Sequence, residues 1–511
     1  MSCSGRSHKI RTPPPSSLDG VRIIPSAVME AQEEQVSLLE EKDTLWIKDK
    51  GRRSWQRLQA ILQHVWNVLL FLRPSFLASN PRPALRDTAF LDGARGLAAW
   101  AVFNSHISNM VVKTSGAAYG QQGYELWKLP GFRLVYTGRF AVATFFVISG
   151  FALSVGPVAC MKAPSDKYFR KFAATVLRRP LRLYLAPWAS LVIPFILIRL
   201  GVFETLTQKI NGEWSQTLEG WGDFLSRYPA RSPTFLVQLS DLVDKTISMF
   251  GIMMVHTSND WANHYNYVLW TIKLELRGSL MLYLLHAALF YVRRKHRLIV
   301  IVACIALAMY LRSFEMHLFL FGYLLAETFD YQSLLPTAGV RTSQCTTLAK
   351  TAGLWMLCVL GLYLGSFPSW EAGKVSYYRW LVPFAPSKYG GNPDLFWIPI
   401  GAASVFYTVS KLRILQKLLE SPPIQYMGRI SFSFYLVHYW ILHTVGTIIF
   451  HHVWTLTGKN GNFEAISGFL ISYTMVLGFI VWFADLFYRL VDKPSVVFTA
   501  RVSGFLIQDG L

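Results

Sequence analysis

Apolar residues gather in blocks whose length matches the roughly 20 residues a helix needs to cross a bilayer. Ten such blocks cover about 88–110, 139–157, 181–200, 267–291, 297–311, 314–329, 350–367, 395–410, 430–450 and 466–490. They predict an all-α, polytopic membrane protein with about ten transmembrane helices. The fifth and sixth blocks are short and close together. Ahead of them, 58–77 is apolar but interrupted by Gln63, His64, Asn67, Arg73 and Pro74, a pattern that suits an interfacial amphipathic helix better than a span. Upstream lie a Pro/Ser-rich start, an acidic stretch near Glu30–Asp43 and a basic one near Lys48–Arg57. No apolar core follows Met1, so no cleavable signal is expected. The organisation predicted is a cytoplasmic N-terminal tail over 1–87, a membrane domain over 88–495 and a short cytoplasmic tail over 496–511.

Composition narrows the class further. Of 511 residues, 52% are hydrophobic and only 16% charged, and mean hydropathy is +0.31. A soluble surface needs about a quarter charged residues, so a soluble multidomain enzyme, a disordered chain and a disulfide scaffold are excluded. The net charge of +20 is distributed in a way that explains it without nucleic acid. Lys162, Lys167, Arg170, Lys171, Arg178 and Arg179 precede the third block, and Arg293-Arg294-Lys295-His296-Arg297 lie between the fourth and fifth. The 201–266 loop, on the opposite side, carries Glu204, Glu213, Glu219, Asp223, Asp241, Asp244 and Asp260. That alternation predicts cytoplasmic N- and C-termini by the positive-inside rule. The five cysteines have no paired spacing, and no P-loop, GxGxxG, HExxH or metal-ligand cluster is present. No internal repeat is visible, which weighs against a transporter built from duplicated halves.

Ionisable groups inside spans are costly and therefore candidates for function. Arg95 and His106 stand eleven residues apart in the first block, close to three helical turns, so they share one face about 16 Å apart along the axis. Taken singly, Arg95 also fits a snorkelling cation and His106 a helix-end residue. Ser149-Gly150 in the second block favours close helix packing or a local helix break, ahead of a nucleophilic serine, since no base or GxSxG flanks it. Arg179 and Arg182 lie one turn apart. They suit either a polyphosphate clamp or ordinary cytoplasmic anchoring. Glu275 is expected at a depth comparable to His106, where a carboxylate would orient the imidazole. The alternative is an ion pair of Glu275 with Lys273, Arg277 or Arg139. His438 reads as structural before catalytic, and Glu315, His317, Glu327, His443 and Asp485 are weaker candidates near span ends.

Several segments in order resemble the acyltransferase-3 family of integral membrane acyltransferases. They are Leu91-Asp92-Gly93-x-Arg95-Gly96 followed by His106, Phe145-Phe146-Val147-Ile148-Ser149-Gly150-Phe151, Arg179-x-x-Arg182, and Leu269-Trp270-Thr271 followed by Glu275. Gly428-Arg429-Ile430-Ser431-Phe432-Ser433-Phe434-Tyr435-Leu436-Val437-His438 and Asp492-Lys493-Pro494 complete the set. Asp492 and Phe432 depart from the residues usual there. The long N-terminus and the 201–266 loop resemble the fungal branch. The resemblance implies transfer of an acyl group, acetyl foremost, from acyl-CoA to a hydroxyl of a small molecule, secondary metabolite, lipid or glycan, without a metal. The geometry fits that chemistry. Arg179, Arg182 and Ser149 would hold the coenzyme, His106 would act as general base held by Glu275, and Arg95 would steady the oxyanion. A transporter or channel lined by Arg95, His106 and Glu275, and a non-catalytic receptor, are the other readings.

Overall fold

The computed structural model describes residues 55–507 apart from 57, 65, 68–69, 78–84, 86–87, 113–115, 122–124, 163–167, 250–262 and 330–347. The Pro/Ser-rich, acidic and basic stretches before residue 55 lie outside the described residues. The chain divides into two bodies, Met1–Arg73 and Pro74–Leu511. In the first, the described residues of 55–72 are helical and Trp55, Leu58, Leu62 and Trp66 are exposed along it. The helix expected to run to 77 stops at 72. Pro74 lacks an amide hydrogen and disfavours helix in the residue before it, so a separate turn at Ser75–Leu77 follows.

In the second body every apolar block is a helix. In chain order these are α1 (Ala89–Val111), α2 (Gly138–Lys162) and α3 (Tyr168–Arg199), then, within the predicted loop, α4 (Val202–Asn211) and α5 (Phe235–Ser248). There follow α6 (Trp270–Ala288), α7 (Arg294–Tyr310), α8 (Phe314–Thr328), α9 (Leu348–Gly365), α10 (Asp394–Lys411) and α11 (Arg413–Leu419). The last two are α12 (Pro422–Thr457) and α13 (Asn462–Leu506). An isolated bridge between Asn263 and Asn266 is the sole β pairing among the described residues. Five helices, α2, α3, α9, α12 and α13, are by themselves long and apolar enough to cross a membrane, or six if α10 and α11, bent by 98°, count as one. A total of ten is therefore not established by length and apolarity. The shortfall has visible causes. α7 and α8 have 17 and 15 residues, and α1, although 23 residues long, carries Asp92, Arg95, Asn104 and His106.

Two boundaries differ from expectation. α3 begins at Tyr168, so Arg170, Lys171, Arg178 and Arg179 belong to the same helix as Arg182 and not to the loop before it. The C-terminal tail is helical to Leu506, because α13 continues through a widened π turn at Tyr488–Asp492. That wider turn gives Pro494 room where a regular turn would bring its ring onto the carbonyl four residues back.

α1 lies along α12 and α2, and α8 along α2. Small residues allow this closeness. A Cβ on Gly428 would sit 2.3 Å from the Asp92 carbonyl oxygen, and one on Gly150 would sit 2.2 Å from that of Phe319. Without a hydrophobic drive between helices, such backbone-to-backbone packing holds a membrane bundle together. Gly150→Ala is therefore expected to lower the thermal midpoint in detergent, with an overpacking cost of about 1–3 kcal/mol. A variant melting with the parent would show that α2 and α8 separate freely.

Carboxylate–arginine pairs join further helices. Arg139 at the start of α2 meets Asp394 at the start of α10, Arg277 of α6 meets Glu315 of α8, and Arg297 of α7 meets Glu327 of α8. Each acid is buried, and a buried charge survives only when paired. Arg139 and Arg277 are thereby committed elsewhere than to Glu275.

Candidate active site

Helix α1 carries the predicted arginine and histidine toward its two ends, and separate groups of side chains assemble at each. At the arginine end, Arg95 pairs with Asp92 at 3.1 Å. Arg179 of α3 reaches Glu275 of α6, and its Nε donates to Ser279 Oγ at 3.1 Å. Both partners of that pair are largely buried. Arg95 lies within electrostatic reach of Arg179 and Glu275, and Arg182 within reach of Arg179, Arg95 and Asp492. Three guanidiniums and three carboxylates thus share one region. Arg182 is exposed and makes no ion pair or hydrogen bond among the described residues.

At the other end His106 meets residues from α12. Its ring lies 5.3 Å from that of His438 and 4.9 Å from that of Tyr439. His438 Nδ1 donates to the Tyr435 carbonyl at 2.8 Å. A carbonyl only accepts, so in the neutral ring the proton is on Nδ1 and Nε2 keeps its lone pair. That Nε2 is buried without a hydrogen-bond partner among the described residues. Tyr439 stacks edge-on against His443, in the π turn of α12, at 4.2 Å. Tyr228 Oη shares a hydrogen bond with His443 Nδ1 at 3.1 Å. Arg227 lies over the Phe224 ring at 4.9 Å, beside the Tyr439 hydroxyl and within electrostatic reach of His106 and His443. The three histidines form no metal-holding group among the described residues.

The expectation that Glu275 faces His106 is corrected by this arrangement. The carboxylate belongs to the arginine end, because α6 passes α3 closely enough for Arg179 to claim it. The connection between ends is indirect. Thr271, one turn before Glu275, shares a 2.8 Å hydrogen bond with Tyr435 Oη, and Tyr435 is the residue whose carbonyl holds His438. Ser149 is half-buried on α2, one turn beyond Phe145, whose ring meets Tyr435 at 6.1 Å. The remaining sequence candidates have structural partners. Glu315 and Glu327 pair with arginines, Asp485 pairs with Arg489 at 3.0 Å, and His317 Nδ1 donates to the Ser313 carbonyl at 2.8 Å. Arg227, Tyr228 and Tyr439 were not among the residues singled out from sequence. Tyr439 carried a signal in adjoining His438, whereas the other two carried none within their loop.

Residues 88–489 match the acyltransferase-3 family, described as an acyltransferase domain, and so take in both ends of this arrangement. The chain belongs to the acyltransferase-3 family. Among similar family proteins, acyltransferase clz18 of Cochliobolus lunatus is 29% identical over 80% of this chain and 94% of its own length. Acyltransferase R4 of a Phoma species is 27% identical over 81% of this chain and 95% of its own. The O-acetyltransferase PaAT-1 of Phomopsis amygdali is 28% identical over 84% and 87% respectively. No solved structure matches.

Proposed function

We propose that this acyltransferase moves an acyl group, acetyl foremost, from acyl-CoA to a hydroxyl group of a small molecule, secondary metabolite, lipid or glycan. The observation that carries this reading is the division of α1 between an arginine-rich end and an imidazole end, about 16 Å apart along the helix. The extended arm of a coenzyme suits such a division, with its phosphates at one end and its thioester at the other. The similarity to a protein described as an O-acetyltransferase supports oxygen as the acceptor atom.

In this mechanism both termini are cytoplasmic and the donor comes from that side. Arg182, which makes no ion pair or hydrogen bond among the described residues, holds phosphate with Arg95, while Arg179 is fixed by Glu275 and Ser279. Ser149, half-buried on α2, contacts the coenzyme arm in this reading. His106 takes the acceptor's hydroxyl proton as that oxygen attacks the thioester carbonyl. The carbonyl electron pair moves onto oxygen, where the Arg227 guanidinium and Tyr439 hydroxyl stabilise it. Arg95 is too distant for that task. Collapse expels the coenzyme thiolate, which recovers the proton from His106. His438, whose ring lies 5.3 Å from that of His106, orients the imidazole.

Thiol release from acetyl-CoA by detergent-purified protein tests this. The acceptor is first found as a metabolite whose mass rises by one acyl group in cells making the protein. Arg182→Ala should raise the apparent KM for the donor by roughly 10- to 100-fold, the worth of a charge-assisted hydrogen bond. Arg182→Lys should recover only part, because a point charge does not reproduce a planar fork. A loss of kcat at unchanged donor KM would remove Arg182 from the donor site.

A further inference from the structure

Two helices of the segment between α3 and α6 turn opposite kinds of surface outward. In α4 the pattern is ordinary, with Phe203, Leu206 and Ile210 buried and Glu204, Thr205, Gln208 and Lys209 exposed. In α5 it is reversed. The inward side of α5 carries Gln238, Asp241, Lys245 and Thr246 with Leu242. Gln238 is buried, its Nε2 donating to Tyr265 Oη at 2.7 Å and its Oε1 accepting from the Ser232 amide at 2.8 Å. Tyr265 Oη donates in turn to Asp241 at 2.7 Å. The outward side presents Leu236, Leu239, Val243 and Ile247, with Leu236 73% and Ile247 61% exposed. That spacing makes one continuous stripe on a helix.

The position of α5 identifies what covers the stripe. Its N-terminus is tied to the last turn of α3, a helix long and apolar enough to span. Arg199 Nη1, at the end of α3, donates to the Ser232 carbonyl at 2.7 Å, and Phe195 packs edge-on against Phe235 at 5.7 Å. Val192 and Ile196 on the same stretch of α3, and Leu200 just after it, are exposed, as expected of a span's lipid-facing side. An arginine closing a span marks the level of the membrane–water boundary. α5 therefore starts at that level, beside the last turn of α3.

We propose that α5 lies in the bilayer interface with Leu236, Leu239, Val243 and Ile247 seated among lipid acyl chains, while α4 of the same segment faces water. Helices of this composition bind by burying an apolar face at the headgroup–acyl boundary. The assignment makes the segment after α3 a monotopic element attached to the span, and it stands independently of the proposed reaction.

The test uses the full chain in lipid nanodiscs, with the five native cysteines replaced by serine. Single nitroxide labels are introduced through Val243→Cys and Ile247→Cys, with Thr205→Cys and Gln208→Cys as controls on α4. Collisions with oxygen should exceed those with a soluble nickel chelate by roughly threefold or more at 243 and 247, and the order should invert at 205 and 208. A nickel response at 243 and 247 equal to that of the controls would overturn the proposal by exposing α5 to water. Protection from both reagents would overturn it too, since a second copy or another protein segment would then cover the stripe. Unchanged size-exclusion profiles identify the variants that remain folded.

Discussion

His106→Gln is expected to lower turnover by roughly two to four orders of magnitude while the protein remains folded and inserted. Glutamine keeps the size and a hydrogen-bonding group but has no basic lone pair, so the acceptor hydroxyl keeps its proton as its oxygen approaches the thioester. Thiol release at saturating donor reads the loss directly, and the melting temperature in detergent separates it from misfolding. The neighbouring ring supplies the comparison. His438 has its Nε2 lone pair available because Nδ1 is committed to the Tyr435 carbonyl, so it too is chemically competent. His438→Gln should cost less, since it removes the support of the base and leaves the base itself. Near-normal turnover in His106→Gln, with loss in His438→Gln, would exchange the two roles.

Arg227→Ala should reduce kcat by roughly 100- to 1,000-fold, the usual cost of losing one donor to a developing oxyanion. The donor KM should stay nearly constant, because the proposed phosphate site is at the opposite end of α1. This separates Arg227 from Arg182, whose loss moves the donor KM first. Arg227→Lys should restore part of the rate, since it keeps a cation beside the Tyr439 hydroxyl. A change confined to the acceptor KM would make Arg227 a substrate-holding residue and leave the oxyanion to Tyr439.

Block length and apolarity made the helices legible, because a bilayer imposes both on any span. Spacing within one helix was equally informative. Arg95 and His106 could be set on one face by counting alone. Relations between helices were not available in that way. Glu275 appeared level with His106 when depth was counted along α6, but nothing in that count gives the offset of α6 against α3, which delivers Arg179 to the carboxylate. Arg227 was invisible for a related reason. It is one exposed cation in a long segment, and its relevance comes from Tyr439 and His443, more than 200 positions later in the chain. The reversed polarity of α5 was hidden because periodicity identifies a stripe without saying whether protein, water or lipid covers it.

The pair between Arg139 and Asp394 bears on how the protein is made. Its members are 255 residues apart in the chain, so α2 leaves the ribosome long before the acid that neutralises it. The arginine stands at the first turn of its helix, where a long side chain reaches the headgroups and waits at small cost. The acid arrives late and ends up fully buried, and it finds its counter-ion already in the membrane. The cation therefore comes first from the exposed site, and the anion second into the enclosed one. A nascent chain released before residue 394 keeps a tolerable early half, whereas a piece starting beyond Arg139 leaves the Asp394 carboxylate without its counter-ion. Quality control would meet these two fragments very differently.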